Sequence, residues 1–309
     1  MLKVLCVLPV KDSHKQLLTK AACGKCEFIY DEHPSSLDDA DIVIGNVPAA
    51  MLKDSKVRLL QLNSAGYEAY TAAGVSPKSM HLCNAKGAYG LTVGEHMLAL
   101  TFALVRKLEL YRDKQKAKDW SDCGSVSSVE GATIAVLGMG DIGGEYARKV
   151  KALGAKCVIG LRRSNATKPE YLDEQYTMDN LEKVLPRADI VASVLPGGPA
   201  TAKIFNHERF ALMKQGAYFI NCGRGSSVDQ DALENALQSG HLAAAALDVT
   251  SPEPLPKDSK LWDIPNLFIT PHVAGNFFLQ ETFERIIKIA AFNLEALLNG
   301  KALKNEILH

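Results

Sequence analysis

Residues 133–150 read TIAVLGMGDIGGEYARKV. This stretch opens with the apolar run Thr133–Leu137, which predicts a buried strand, and it ends in a helical pattern. Between the two, Gly138, Gly140 and Gly143 have the spacing G-x-G-x-x-G. A strand followed directly by a glycine-rich turn and a helix predicts the start of a parallel α/β unit.

Each glycine of the turn has a role in that geometry. Gly138 permits the tight turn out of the strand, Gly140 lets a pyrophosphate approach the backbone, and Gly143 lets the helix pack against the strand. The first amides of the helix, at Asp141 and Ile142, then face the phosphates. An ordinary glycine-rich turn is the alternative, but a second apolar strand follows at the expected distance. The context therefore predicts dinucleotide binding.

The composition of the 309 residues limits the class of protein. Hydrophobic residues make up 47% and charged residues 23%, which is typical of a globular, soluble chain. The formal net charge is +0, so electrostatics give no reason to expect binding to nucleic acid or to an anionic membrane. No apolar run approaches the ~18 residues of a membrane helix. We interpret the apolar start MLKVLCVLPV as a first strand and not as a signal peptide, because Pro9 interrupts it.

The seven cysteines are scattered through apolar segments, as at Cys6, Cys157 and Cys222. That pattern is typical of buried thiols in a reducing compartment, and we expect a cytoplasmic protein. Cys23 and Cys26 form one C-x-x-C, but a zinc site requires two further ligands at matching spacing, and the sequence offers none. No metal is therefore expected, and a redox pair is the alternative to two ordinary thiols near a helix end.

Short apolar runs separated by helical or loop segments predict parallel βα units in both halves of the chain. In the first half the predicted strands are 3–8, 27–30, 41–45, 57–62 and 81–84. In the second half, after 133–137, they are 156–160, 190–194, 218–221, 243–248 and 267–270. We therefore expect an α/β protein with two doubly wound parallel-sheet domains, a flavodoxin-like substrate domain and a Rossmann dinucleotide-binding domain.

Two long amphipathic helices are predicted at 93–114 and 279–298. The first helix either crosses to the second domain or covers a partner subunit, and the second is expected to return to the first domain. The expected division is 1–90 with 281–309 for the substrate domain, and 91–280 for the Rossmann domain.

Three polar clusters follow apolar strands in the second half of the chain. They are Asn221-Cys222-Gly223-Arg224-Gly225, Leu247-Asp248-Val249-Thr250-Ser251-Pro252-Glu253-Pro254 and Thr270-Pro271-His272-Val273-Ala274-Gly275. Because the carboxyl ends of parallel strands line one crevice, we expect Arg224, Glu253 and His272 to converge there.

Hydride transfer to a 2-keto acid requires this set of side chains. Arg224 supplies a planar cation that binds the substrate carboxylate with two hydrogen bonds and orients the carbonyl. His272 delivers a proton to the carbonyl oxygen near neutral pH. Glu253, hydrogen-bonded to the other ring nitrogen, stabilises the imidazolium and fixes its orientation. Taken singly, each residue also has a purely structural interpretation. Arg224 can be a surface arginine, Glu253 a loop carboxylate and His272 a capped histidine.

Together these motifs resemble the D-isomer-specific 2-hydroxyacid dehydrogenase family, and glyoxylate/hydroxypyruvate reductase-like members in particular. The likeness covers nearly the whole chain and includes LQLNSAG at 60–66 and VGEH at 93–96. It implies an NAD(P)-dependent enzyme that reduces a small 2-keto acid, such as glyoxylate, hydroxypyruvate or pyruvate, to the D alcohol. It also implies a homodimer, with the helix from Val93 in the position of the dimer arm.

The resemblance implies roles for individual residues. Arg224 holds the substrate carboxylate and carbonyl, His272 is the acid/base and Glu253 pairs with it. The amides of Ala65 and Gly66 help to hold the carboxylate, although a plain turn is the alternative for that segment. The cofactor-binding positions implied beyond the glycine turn are Leu195, Pro196, Thr201, Cys222, Gly223, Asp248 and Gly275, with Asp248 on the nicotinamide carboxamide.

Some positions depart from the family pattern. Gly197 and Gly198 stand where larger or polar residues are usual, which affects contacts to the cofactor ribose. Gly94 stands where alanine is usual, and Thr250 where an aromatic residue is usual. None of these departures removes a catalytic group.

The second strand of the dinucleotide unit predicts the choice of cofactor. In NAD-dependent relatives an acidic residue ends this strand and binds the ribose hydroxyls. Here Leu161 occupies that position, and no carboxylate lies anywhere in 156–166. Arg162, Arg163 and Ser164 follow instead, and guanidinium groups suit the 2′-phosphate of NADP. We therefore expect NADP(H) to be preferred, with NAD(H) as the alternative, although both arginines can also simply point into water.

Three other functions remain open from the sequence. Phosphite dehydrogenases of the same fold keep the arginine, glutamate and histidine, whereas formate dehydrogenases usually place glutamine where Glu253 stands. A non-catalytic, dinucleotide-sensing protein of the co-repressor type is the third, and the complete catalytic set argues against it.

Overall fold

Two sheets, one fully parallel and one parallel except for an edge strand, organise the chain, which the computed structural model describes over residues 1–72 and 74–308. Each sheet belongs to a separate unit. One unit comprises Met1–Tyr89 with Phe277–His309, and the other comprises Gly90–Asn276. The boundaries predicted from the sequence are 90/91 and 280/281.

Over the described residues, the strands β1–β13 in chain order are Leu2–Cys6, Cys26–Tyr30, Ile42–Ile44, Leu59–Gln61, His81–Cys83, Thr133–Leu137, Cys157–Arg162, Glu174–Thr177, Ile190–Ser193, Ala217–Asn221, Leu242–Leu247, Leu267–Ile269 and Glu306–Ile307. The α-helices α1–α8 are Asp12–Ala22, Gly90–Arg106, Leu108–Ala117, Asp141–Ala152, Leu181–Val184, His207–Leu212, Gln230–Gln238 and Gln280–Leu298.

The first unit holds the sheet β2-β1-β3-β4-β5-β13. Strands β1 to β5 are parallel, and only β13 pairs antiparallel, at the edge beside β5. The order 2-1-3-4-5 is that of flavodoxin-like sheets, which confirms the fold expected for this part. Its core is mainly aliphatic, and the largest buried side chains include Leu52, Leu60 and Leu82.

The second unit holds the fully parallel sheet β12-β11-β10-β9-β6-β7-β8. From β6 the chain runs outward through β7 to β8, and it then returns to the other side of β6 for β9 to β12. The point where β6 and β9 lie side by side is the topological switch, where parallel sheets bind ligands at the carboxyl ends of their strands. The glycine turn follows β6 directly, so the predicted Rossmann arrangement is confirmed.

The prediction of one long helix at 93–114 is wrong, because this segment forms two helices. α2 ends at Arg106 and α3 begins at Leu108, because Lys107 adopts a left-handed conformation with φ 56°. The Lys107 N–H donates to Leu104 O at 3.1 Å, and its ammonium donates to Cys123 O at 2.5 Å. α2 buries a full apolar face, whereas α3 buries none of its residues.

One strand ends later than predicted, and two further strands are present. β7 extends two residues further than expected, to Arg162, so Leu161 lies inside the strand and is fully buried. β8 and β13 were not predicted, because Glu174–Thr177 is polar and Glu306–Ile307 has only two residues. Over the described ranges, the structure has no helix that is long and apolar enough to cross a bilayer.

Candidate active site

The glycine turn after β6 has the geometry that its spacing predicts. Gly138 has φ 98°, and a Cβ there would lie 2.8 Å from Val194 O. A Cβ on Gly143 would lie 2.2 Å from Gly138 O, so the first turn of α4 packs directly onto the backbone of the turn. Gly140, in contrast, has no atom within 4 Å of an added Cβ. The open space at Gly140, between two tightly packed glycines, fits the close approach of a pyrophosphate.

Asp141 and Ile142 are the first two residues of α4. The Asp141 carboxylate lies against Gly90, where an added Cβ would be 2.5 Å from Oδ1. Its Oδ2 is buried and has no hydrogen-bond partner within 1–72 and 74–308. The Asp141 side chain is thus turned towards the start of α2, and the groups of this segment that suit a phosphate are main-chain amides, which have no acceptor inside the helix.

The end of β7 carries the basic residues expected to set cofactor choice. Arg162 is the last residue of the strand, and Arg163 and Ser164 follow it in an exposed loop. Across the part of the chain that the structure describes, neither guanidinium has an ion-pair or hydrogen-bond partner. Both are therefore available to an anion.

The loop after β9 is held by its own turn. The Thr201 hydroxyl donates to Pro196 O at 2.7 Å, and the Thr201 amide donates to Gly198 O at 3.1 Å. Leu195 is buried, and a Cβ on Gly223 would lie 2.5 Å from Leu195 O. The loops after β9 and β10 are therefore in backbone contact, and only glycine fits between them.

The loop after β10 fixes the backbone of Arg224. The Asn221 amide donates to Arg224 O at 3.0 Å, and the Ser227 hydroxyl donates to the same oxygen at 2.7 Å. The Arg224 guanidinium donates to Gly223 O at 2.9 Å. Burial raises the pKa of the neighbouring Cys222 thiol well above its ordinary value, and the Asp248 carboxylate adds to that shift. Burial of this kind is typical of a structural cysteine.

A series of contacts links the loops that carry the three catalytic candidates. A Cβ on Gly225, next to Arg224, would lie 1.9 Å from Thr250 O, so the loops after β10 and β11 touch backbone to backbone. The Thr250 amide donates to Glu253 Oε1 at 2.9 Å, and Glu253 Oε2 lies 2.7 Å from His272 Nδ1.

The pair of Glu253 and His272 defines the state of the imidazole. Because an ionised carboxylate only accepts hydrogen bonds, the proton of this contact is on Nδ1. Nε2 then carries the proton that the ring gains or loses. The His272 side chain is 46% exposed, so the ring is only partly covered by its neighbours.

His272 is held in a left-handed conformation, with φ 51°. For a residue with a Cβ this conformation costs on the order of 1–3 kcal/mol, so its neighbours must hold it. The His272 amide donates to Asp248 O at 2.7 Å. The amides of Val273 and Ala274 donate to the Asp248 carboxylate at 3.0 and 3.1 Å.

Asp248, which the resemblance places on the nicotinamide carboxamide, is hydrogen-bonded to the loop of His272 in the structure, and its cofactor contact stays a prediction. Its side chain is 2% exposed, and both oxygens accept hydrogen bonds from the loop of His272. Gly275, at the end of that loop, has no atom within 4 Å of an added Cβ and leaves open space.

Ala65 and Gly66 lie in the other unit, in the loop after β4. The carbonyls of this loop are occupied: Asn84 donates to Ala65 O at 2.8 Å, and the Ser64 hydroxyl donates to Gly66 O at 2.7 Å. Among the described residues, the amides of Ala65 and Gly66 have no acceptor. Consecutive amides of this kind suit an anion.

Two site residues were given no role from the sequence. His96 on α2 lies 3.1 Å from the Thr270 hydroxyl, which donates to Asp248 Oδ1 at 2.6 Å. In the sequence, His96 lies in the motif VGEH and Thr270 in the motif TPHVAG. Neither motif indicates that the two segments meet in the fold.

This fold and site define a dinucleotide-dependent dehydrogenase. The family model described as "D-isomer specific 2-hydroxyacid dehydrogenase, NAD binding domain" matches residues 98–274, more than half of the chain. The chain therefore belongs to the D-isomer specific 2-hydroxyacid dehydrogenase family, and it is an oxidoreductase.

Similar proteins support the same family. The chain is 32% identical over 283 residues to glyoxylate/hydroxypyruvate reductase B of Klebsiella pneumoniae (strain 342), covering 89% of this chain and 86% of that protein. A crystal structure of a family protein from Aeromonas salmonicida matches with TM-score 0.86 and 30% identity, over 99% of this chain and 98% of that one. An NADPH-dependent glyoxylate/hydroxypyruvate reductase from Sinorhizobium meliloti, in complex with NADP and sulfate, matches with TM-score 0.80 and 25% identity, over 99% and 98%.

Proposed function

We propose that this enzyme reduces a small 2-keto acid, such as glyoxylate, hydroxypyruvate or pyruvate, with NADPH, and gives the D alcohol where the product is chiral. The observation that carries the proposal is the 2.7 Å contact between His272 and Glu253, on loops that also pack against the loop of Arg224. The names of the reductases from Klebsiella and Sinorhizobium support the substrate class. The D configuration rests on family membership.

His272 is the proposed acid/base. In the direction of reduction, Nε2 gives its proton to the carbonyl oxygen while Nδ1–H stays on Glu253. Glu253 acts by compensating the charge of the imidazolium and by fixing the ring, and its second oxygen is itself held by the Thr250 amide. In the reverse direction the same nitrogen takes the proton back.

Arg224 is the proposed binding group for the substrate carboxylate and carbonyl. A guanidinium can donate two parallel hydrogen bonds to a carboxylate, which fixes the carbonyl relative to His272. The amides of Ala65 and Gly66 are proposed as further donors to the same carboxylate. A substrate without the acid group would lose the contacts to the carboxylate.

The residues around the glycine turn fit a dinucleotide, and the bound nicotinamide supplies or accepts the hydride. Gly138, Gly140, Ile142 and Gly143 would hold the pyrophosphate, with Asp141 contributing through its amide. The loops at Leu195–Thr201, Cys222–Gly223 and Gly275 would border the nicotinamide half. We assign cofactor binding to the unit Gly90–Asn276, within which the family model matches, and the substrate-domain role to the other unit.

A panel of substrates tests this function. Purified enzyme is assayed with glyoxylate, hydroxypyruvate, pyruvate, phosphite and formate, each with both forms of NAD and NADP, and chiral products are separated by chromatography. We expect the highest kcat/KM for a 2-keto acid with NADPH and a D product. Predominantly L product, or turnover of phosphite or formate only, contradicts the proposal. Tight cofactor binding without turnover of any substrate favours the dinucleotide-sensing alternative.

The glycine turn offers a matched pair of variants. Gly140→Ala adds a methyl group to open space, so the fold is expected to keep its melting temperature while NADPH binding weakens strongly. Gly143→Ala places the same methyl group 2.2 Å from Gly138 O, so both stability and binding are expected to fall. Thermal unfolding and NADPH fluorescence titration measure the two effects. Unchanged NADPH affinity in Gly140→Ala argues against a pyrophosphate at this turn.

We also propose a homodimer. Large apolar side chains are exposed along α2, α3 and the segment that follows. They are Phe102, Leu108, Tyr111, Trp120 and Val126, and Trp120 is fully exposed. An unpartnered apolar surface of this kind is typical of a subunit interface.

Light scattering at micromolar concentration is expected to give twice the chain mass. Trp120→Arg should shift the equilibrium towards monomer, whereas Trp262→Arg, at a half-exposed tryptophan elsewhere, should leave it unchanged. A wild-type protein that is only monomeric contradicts the dimer.

We propose a cytoplasmic location. All seven cysteines are free thiols in the structure, and three of them are buried, which suits a reducing compartment. Recovery of the protein in a periplasmic or secreted fraction of its native cells would contradict this location.

A further inference from the structure

We propose that one face of α2, formed by Thr92 and His96, positions the loop of His272, and that it acts through Thr270 and Asp248. The inference rests on the proposed function, because the position of His272 matters for the reaction only if His272 transfers the proton. Thr92, His96 and Thr270 are positioning residues in this scheme and do not touch the substrate.

The contact between His96 and Thr270 has a defined direction. The single hydroxyl proton of Thr270 points to Asp248 Oδ1, 2.6 Å away, because the carboxylate only accepts. The 3.1 Å contact between His96 Nε2 and the Thr270 hydroxyl therefore has His96 as the donor. His96 Nε2 also lies 3.5 Å from Asp248 Oδ1. The tautomer of His96 is thus fixed with its proton on Nε2.

The Asp248 carboxylate connects this chain to the catalytic loop. It is 2% exposed, and a buried charge is stable only when hydrogen-bond donors surround it. Its donors are the Thr270 hydroxyl, before His272 in the chain, and the amides of Val273 and Ala274, after it. A shift of this carboxylate would therefore move the loop on both sides of the imidazole.

A second contact from α2 reaches the far end of the same loop. The Thr92 hydroxyl donates to Ala274 O at 3.4 Å. Thr92 and His96 are four residues apart on α2, so they lie on one face of the helix. That face contacts the loop at Thr270 before His272 and at Ala274 after it.

α2 is well placed to act as a fixed support. Its Glu95 carboxylate lies 3.8 Å from the Lys149 ammonium of α4. A Cβ on Gly94 would lie 3.2 Å from Glu145 Cγ, so glycine in place of the usual alanine lets α2 and α4 pack closely. The helix that holds the His272 loop is therefore anchored to the helix that begins at the glycine turn.

The first test removes the Thr270 hydroxyl. Thr270→Val keeps the shape and deletes the link, and we expect kcat to fall about tenfold to a hundredfold, the scale of a misplaced catalytic group, with little change in the Kd for NADPH. Thr270→Ser keeps the hydroxyl and is expected to restore most of kcat. Thr101→Val is the matched control, because it deletes another buried threonine hydroxyl on α2 that does not touch the loop.

The second test applies to His96. A glutamine amide can donate from nearly the same place as Nε2, so His96→Gln is expected to retain more of kcat than His96→Leu. Equal losses in Thr270→Val and Thr101→Val, or equal losses in the two His96 variants, would show that these residues stabilise the fold and do not position His272.

A spectroscopic measurement separates this inference from the proposed substrate. Two-bond ¹H–¹⁵N spectra of histidine-labelled protein, without ligand, report the tautomer of each ring. We expect His96 protonated on Nε2, and we expect the His272 ring signals to shift in Thr270→Val but not in Thr101→Val. A His96 ring protonated only on Nδ1, or an unshifted His272, overturns the inference whether or not any keto acid is reduced.

Discussion

Replacing His272 with alanine is expected to lower kcat by about 10²- to 10⁴-fold, the usual contribution of a general acid. The reason is that Glu253 binds the imidazole through Nδ1, at 2.7 Å, in a side chain that is 46% exposed. Nε2 is therefore the nitrogen proposed to give its proton to the substrate. Without the imidazole, the carbonyl oxygen must take its proton from water. The substrate binding proposed for Arg224 would be unaffected, so KM should change far less than kcat.

Two variants sharpen this result. His33→Ala removes an exposed histidine outside the site and should leave kcat unchanged. Glu253→Gln keeps an acceptor for the Thr250 amide but removes the charge beside the imidazole, so an intermediate loss is expected. Steady-state kinetics with the best 2-keto acid, on protein checked by circular dichroism, measure all three. A His272→Ala enzyme with nearly wild-type kcat would contradict the assignment of the acid/base.

The sequence predicts the two sheets well because their strands are short apolar runs bounded by turn residues. In the second unit, strands such as Ile190–Ser193 and Ala217–Asn221 are wholly buried, so the apolar pattern is unambiguous. The three polar clusters could be grouped because parallel strands place their carboxyl ends on one edge. The failure at Lys107 has a physical cause: nothing in the apolar pattern of 93–114 distinguishes one helix from two when the break is a single left-handed residue.

The contacts that complete the site could not be predicted from the sequence. Gly225 against Thr250 O is a contact between residues of different loops, and its tightness depends on the spacing of the strands. The hydrogen bonds of the Asp248 carboxylate depend on the path of a loop more than twenty residues further along the chain. A lone histidine on an apolar helix face, as at His96, is ambiguous until the tertiary structure supplies Thr270.

Removing both Arg162 and Arg163, at the end of β7, is expected to abolish the preference for NADPH. Each charge-assisted hydrogen bond to the 2′-phosphate contributes about 1.5–3 kcal/mol, or roughly tenfold or more in affinity. Arg162→Ala and Arg163→Ala should therefore each raise the KM for NADPH about tenfold or more, and the double variant about a hundredfold or more. Since NADH has no 2′-phosphate, its KM should change little.

The structure makes the arginines the natural partners of that phosphate for two reasons. Leu161, where NAD-dependent relatives carry an acidic residue, is buried inside β7, so no carboxylate repels the phosphate there. The guanidinium groups of Arg162 and Arg163 have no other partner in the described ranges, so no existing ion pair must break. Arg285→Ala, which removes an arginine paired with Glu281 on α8, is the control and should alter neither KM. A wild-type enzyme with higher kcat/KM for NADH than for NADPH would contradict the cofactor assignment and leave the dehydrogenase family intact.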